Sequence, residues 1–355
     1  MDARWWWNSG IGRYVRELLP RVVAEWPEAR WRIFGAGEEM RAATTGVEWR
    51  RWDTPVFSWR EHVTAVPPGW SEADLRWVPH FNVTRDTRGP LAVTVHDVLP
   101  LVETAGWRAW SRARVARVYF SRVRRRATVV FCPSRFAAEG AAARVGVARD
   151  RVRVTPLAAS RRQTSDKHPG AREKIWLYVG NVKPHKGLGV LLEALALPGP
   201  SELPHRLVIV GRREGFLHGA APALARAAGH LGARVIWAGS VEDKELAAWY
   251  ARAEALVLPS RHEGFGLPVL EAMEAGCPVV AADAGALPEV GGAAAAYCPA
   301  GDPGAWAGRL VALARDEAER ARLAAAGRAR AAEFSWEKTA RLTVAGLRSA
   351  LEGRP

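Results

Sequence analysis

Cysteine is scarce: the three present, Cys132, Cys277 and Cys298, are scattered, odd in number and without metal-ligand spacing. A disulfide framework and a zinc site are excluded as organising devices, and a reducing cytoplasm is the expected setting. No apolar run approaches the ~20 residues that span a bilayer. The opening MDARWWWNSG lacks a basic stretch followed by an apolar one, so neither an integral nor a signal-exported protein is expected. Lysine is rare beside arginine, D-x-D occurs nowhere, and there is no Walker A loop. Internal repeats and the common nucleic-acid motifs are also missing.

What is present is length and apolar content. With 355 residues, 48% hydrophobic and 25% charged, the chain suits two folded domains better than one. Its net charge of +14 is uneven, because residues 1–165 hold 28 arginines and no lysine against 16 carboxylates. That balance suits nucleic acid, an anionic membrane surface or an acidic substrate; it equally reflects an Arg-, Ala- and Trp-rich composition. Eight of the arginines fall in residues 107–126, a predicted amphipathic helix with Val115, Val118 and Phe120 assigned to a face of their own.

Short apolar runs at 31–34, 75–78, 91–95, 128–132 and 152–155 alternate with helical patterns at 11–25, 107–126 and 135–145. Periodicity then lapses in a polar, Pro- and Gly-bearing stretch and restarts with runs at 175–179, 207–210, 234–237, 255–258 and 278–281. Continuous apolar strands separated by helices predict parallel sheets covered on both faces. The expected organisation is a Rossmann-like domain at 1–160, a linker at 161–172 and a second such domain at 173–334. Residues 335–355 read as a helix capped by Ser335, returning to the first domain.

One stretch concentrates chemistry: EALVLPSRHEGFGLPVLEAMEAG, from Glu254 to Gly276. A buried strand runs out at Pro259-Ser260, a polar turn follows, and a helix begins with Pro268 as its expected first residue. The amides of Gly264, Phe265, Gly266 and Leu267 precede a helix N-terminus, whose unpaired N–H groups favour an anion. Glu263 on the turn and Glu271 in the helix flank that cradle. Two carboxylates beside an anion site suit a ligand carrying both hydroxyls and phosphates.

Together with GIGRYVREL (10–18), VTVHDVLPL (93–101), YVGNVKPHKG (178–187) and LPEVGG (287–292), this stretch resembles the retaining glycosyltransferases of family 4 along nearly the whole chain. The resemblance implies an α/β fold of GT-B architecture, two Rossmann-like domains with parallel sheets facing a central cleft. It implies that Glu271 binds the nucleotide ribose, that Glu263 contacts the transferred hexose, and that Lys186 neutralises the departing diphosphate. Lys183 and Asn181 share that glycine turn, and His185 and Asn181 stand where many members carry an arginine. Arg212 and Arg261 are the candidates for the second cation. Gly10 and Gly12 match the loop that approaches the donor phosphates, although Val15 replaces the third glycine of the dinucleotide fingerprint. His96, beside Asp97, matches a cleft histidine near the transferred sugar. Pro288-Glu289 is assigned to the base side.

One departure stands out. Members carry a strand ahead of the equivalent of Asp2-Ala3-Arg4, whereas Met1 stands where that strand would end, so a gap in the first sheet and an upstream start are expected. Trp5-Trp6-Trp7 would cover part of the gap or stack on sugar. The reading is metal-free, cofactor-free hexosyl transfer, with GDP-mannose as first donor candidate and UDP-glucose as second, to a glycan or lipid-linked hydroxyl. A UDP-sugar epimerase or hydrolase and a basic binding module are the alternatives, and nucleic acid is not an expected partner. The expected location is cytoplasmic, with peripheral contact to anionic membrane through helix 107–126.

Overall fold

The computed structural model describes residues 1–8, 10–42, 44–63, 66–85, 89–103, 107–160, 172–212 and 221–353. Apart from Arg172, the expected linker lies outside the described residues. The chain divides into two compact units, Met1–Leu157 with Ser335–Pro355, and Ala158–Phe334.

The second unit is built on six parallel strands: β7 (Glu173–Val179), β8 (Arg206–Val210), β9 (Val235–Gly239), β10 (Ala253–Leu258), β11 (Val279–Ala282) and β12 (Ala296–Cys298). Their spatial order is β12-β11-β10-β7-β8-β9, so the winding reverses between β7 and β10. Both strands are apolar throughout their middles, as a central strand covered on both faces must be. In open α/β sheets the carboxyl ends at such a reversal form the ligand crevice. Those ends lead into residues 180–187 and 259–267.

The first unit repeats the plan with a discontinuity. Strands β3 (Arg76–Val78), β4 (Leu91–Thr94), β5 (Val129–Cys132) and β6 (Val152–Val154) form one parallel sheet, and β1 (Arg32–Gly35) pairs with β2 (Glu48–Arg51). Residues 1–3 lie between the two. The Asp2 amide donates to Trp77 O (2.9 Å), Ala3 to Phe34 O (2.7 Å), and Phe34 back to Met1 O (2.9 Å). Three residues thus stand where a central strand would, and Trp5 and Trp6 are buried beside them while Trp7 is exposed. The C-terminal helix Trp336–Leu351 is capped by Ser335, packs on helix Gly10–Glu25, and brings Glu337 to Arg21 at 2.9 Å.

Two expectations are corrected. Val115 and Val118 of helix Trp107–Arg126 do not share a buried face with Phe120. Ala113, Ala116, Tyr119, Phe120 and Val123 form the core stripe, and the two valines are about half exposed among the arginines. Pro268 is the second residue of its helix, Leu267–Glu274, because Gly266 in the left-handed region (φ +98°) supplies the cap one position earlier.

Candidate functional site

The crevice of the second unit is tied together by backbone before any charged group is considered. Gly180 follows β7 and donates to Val210 O at 2.9 Å, while Asn181 Oδ1 accepts the Arg212 amide at 3.2 Å and the Val182 amide donates to Arg212 O at 3.2 Å. Asn181 therefore joins the loops after β7 and β8. Gly211 is required here, since a Cβ would sit 2.1 Å from Gly180 O.

A single helical turn, Pro184–Lys186, then ends at Gly187, whose φ is +70° and whose added Cβ would lie 2.1 Å from Pro259 O. The loop after β10 runs against this turn. Its Arg261 amide donates to His185 O at 2.7 Å, and Arg261 Nη2 donates to Pro184 O at 2.9 Å. Arg261 is thus spent partly on the loop itself, while Lys183 is exposed at the start of the turn.

This close approach brings two expected residues together. Lys186 Nζ donates to Glu263 Oε1 at 2.7 Å, both side chains being mostly covered. From the far side, the Ala286 amide donates to Glu263 O at 3.0 Å, and a Cβ on Gly285 would stand 2.8 Å from the Glu263 amide nitrogen. Glu263 is therefore held between two neighbouring loops. Burial of the Tyr178 phenol, and after it the neighbouring Glu263 charge, push that phenol above its ordinary range. Gly264 and Gly266 flank Phe265, whose ring is buried 6.0 Å from that of Phe334. Leu267 opens the helix that carries Glu271.

Glu271 is buried, and its Oε2 accepts the Tyr250 hydroxyl at 2.8 Å. Sequence reasoning missed Tyr250, because an aromatic on the apolar side of DKELAAWYAR reads as core. It is core, yet its hydroxyl is aimed at a carboxylate. Glu289 sits in the short helix Leu287–Gly291, which Arg330 anchors through Glu289 O (2.8 Å) and Val290 O (3.0 Å).

The remaining expected residues belong to the first unit. Gly10 is exposed, and a Cβ there would meet nothing within 4 Å; one on Gly12 would lie 2.4 Å from Trp6 O. Gly12 is thus demanded by packing of the helix on the preceding turn, while Gly10 leaves open space at the helix start. His96 follows β4, and its Nε2 donates to Pro79 O at 2.9 Å, which leaves Nδ1 as an acceptor. Burial holds the imidazole below its ordinary value against the opposing effects of Pro79 O and Asp97, so it is neutral near pH 7. Asp97 Oδ1 accepts the Leu99 amide at 2.9 Å, just ahead of the short helix Leu99–Val102. Among the described residues, no three His, Cys, Asp or Glu side chains are placed to hold a metal ion.

Residues 173–316 match the family model described as glycosyl transferases group 1. The MMP alpha-(1->4)-mannosyltransferase of Mycolicibacterium hassiacum is 34% identical over 277 residues, which is 74% of this chain and 66% of that one. A D-inositol 3-phosphate glycosyltransferase of Xylanimonas cellulosilytica is 37% identical over 188 residues, covering 50% and 43%. The chain thus spans between 43% and 66% of the length of these curated relatives. Among solved structures, Anabaena Alr3699/HepE in complex with UDP and glucose superposes with a TM-score of 0.73 at 20% identity over 96% of each chain. The chain has the GT-B fold, and its residues 173–316 carry a domain of the glycosyl transferases group 1 type.

Proposed function

We propose that the chain moves a hexose from a nucleoside-diphosphate sugar to a hydroxyl of a glycan or glycolipid acceptor, keeping the anomeric configuration. The observation that carries this reading is the Lys186–Glu263 pair, fixed at 2.7 Å where the winding of the second sheet reverses. An ammonium offers three donors and Glu263 takes one, so Lys186 has donors left for a diphosphate. Charge builds on the leaving oxygen as the glycosidic bond breaks, and a preorganised cation there favours the transition state over the ground state. In this reading Glu263 accepts sugar hydroxyls, the amides of Gly264 to Leu267 bind phosphate, and Glu271 accepts the ribose hydroxyls. His96 contributes an acceptor nitrogen on the first unit. The chemistry asks for no metal and no cofactor.

Similarity to a mannosyltransferase over 74% of the chain favours GDP-mannose as donor. A UDP-sugar is the second reading, favoured by a fold neighbour described with UDP and glucose. Incubating the enzyme with each donor, with and without saccharide and glycolipid acceptors, and following anomeric protons by NMR tests the activity. Retained configuration in an acceptor-dependent product supports it. Donor turnover equally fast without acceptor would instead make the protein a hydrolase or epimerase.

The acceptor side includes a membrane surface in this reading. On helix Trp107–Arg126 the exposed face carries Trp110 (52% exposed), Val115 (47%) and Val118 (48%) among Arg112, Arg114, Arg117, Arg124 and Arg125, with no carboxylate in the helix. Basic side chains with interspersed apolar ones suit the interface of an anionic bilayer, at the cytoplasmic face of a cell membrane. Co-sedimentation with phosphatidylglycerol vesicles but not phosphatidylcholine vesicles, lost in an Arg114→Glu/Arg117→Glu variant, is the expected result. Equal binding to both vesicle types would contradict it. No helix among the described residues is long and apolar enough to cross a membrane.

A further inference from the structure

The sheet of the first unit has its own reversal, between residues 1–3 and β3, and a ligand crevice belongs at the carboxyl ends there as well. The chain leaves those ends through Trp5 and through His80, and one side chain packs on both rings. Phe57 lies 5.5 Å from Trp5 and 5.4 Å from His80, centroid to centroid. His80 in turn stacks 6.1 Å from His96.

Phe57 is the one described non-glycine residue with a positive φ, at +57°. A bulky residue in that region costs roughly 1–3 kcal/mol and persists only where its surroundings fix it. The fixing group is Glu61, a buried carboxylate. Its Oε2 accepts the Phe57 amide at 2.9 Å and the Tyr119 hydroxyl at 2.7 Å; its Oε1 accepts Arg4 Nη2 at 2.8 Å and Asn82 Nδ2 at 2.9 Å. Four donors saturate it. Arg4 and Asn82 belong to the same two segments that leave the crevice, so the hub ties the Phe57 loop to both. The ring also lies 5.4 Å from that of Phe81 and 5.3 Å from that of Tyr119, yet for all this anchoring the residue remains 42% exposed. Core packing alone would need neither the strained backbone nor so large an exposed fraction for an aromatic residue.

We infer that Phe57 is a stacking platform for a pyranose ring of the acceptor, held by the Glu61 hub against His80, the ring that stacks on His96. An aromatic face matches the C–H face of a sugar, and a rigid ring binds without losing rotamer freedom. The inference rests on the glycosyl-transfer reading and deepens its acceptor side. It adds a specificity-determining residue outside the donor site.

The test is saturation-transfer NMR on the full chain with methyl α-mannopyranoside and methyl α-glucopyranoside, recorded with GDP or UDP present. Wild type should transfer saturation to ring C–H protons of at least one glycoside. Phe57→Gly, which keeps the left-handed backbone without strain, should lose that signal by about fivefold, or about 1 kcal/mol. Phe57→Trp should keep it, and nucleotide signals should be the same in all three proteins. Glycoside signals that are equal in Phe57→Gly, or missing in wild type, overturn the platform. Missing nucleotide signals in wild type would instead overturn the donor reading.

Discussion

Lys186 and Glu263 stand 77 positions apart in sequence and 2.7 Å apart in space, and the contact joins the loops after the two strands at the centre of the second sheet. A mostly covered pair of this kind contributes through geometry, because removing one partner leaves the other charge poorly solvated. A double-mutant cycle with Lys186→Met and Glu263→Gln, read by urea denaturation, should show a coupling of about 1 kcal/mol. Additive single effects would mean that the pair does not form in solution.

Gly187 makes that contact possible. Its left-handed backbone and the 2.1 Å approach of Pro259 O leave no room for a methyl group. Gly187→Ala should destabilise the protein by well over 1 kcal/mol and weaken nucleotide binding with it. Gly232→Ala is the matched control: its φ is +54°, but nothing lies within 4 Å of the added carbon. It should cost only about 1 kcal/mol and leave binding alone. Calorimetric unfolding of both variants settles the comparison.

Tyr250 donates to a carboxylate that faces a buried environment. Tyr250→Phe should cost about 1–2 kcal/mol of stability. If the hydroxyl positions Glu271, the Michaelis constant for donor should rise severalfold with kcat little changed. An unchanged constant would reduce Tyr250 to a core residue.

His80 and His96 give the first unit a predictable pH response. Burial holds His96 below its ordinary value of 6.5 and His80 well below it. In the unfolded chain both take up protons as pH falls through about 6.5, whereas in the folded protein they do so only at lower pH. The unfolded state therefore binds more protons in that window, and stability falls as the pH drops below 6.5. Urea midpoints should fall from pH 7 to pH 5.5, and His80→Phe should flatten the slope. A midpoint rising over that range would contradict the assignment.

Alternating apolar runs and helical spacing made both parallel sheets legible, because buried strands such as LVIV in β8 leave few other options. Two strands were not legible. β2, with sequence EWRR, is mostly exposed and carries three charges, and β12 is only three residues long. Glu263, Glu271 and Lys186 could be named from short motifs. That Lys186 meets Glu263 depends on Gly187 packing against Pro259, and no local pattern encodes a contact across 77 positions. The Glu61 hub was invisible for the same reason: Arg4, Phe57, Asn82 and Tyr119 share no spacing and become neighbours only through the sheet.

Isothermal titration of wild type and Lys186→Ala with GDP, UDP and the corresponding free nucleosides addresses the diphosphate directly. Wild type should bind one diphosphate far more tightly than its nucleoside, and Lys186→Ala should lose about 100-fold for the diphosphate while binding the nucleoside unchanged. Equal diphosphate affinity in the two proteins would remove the C-terminal crevice as the donor site.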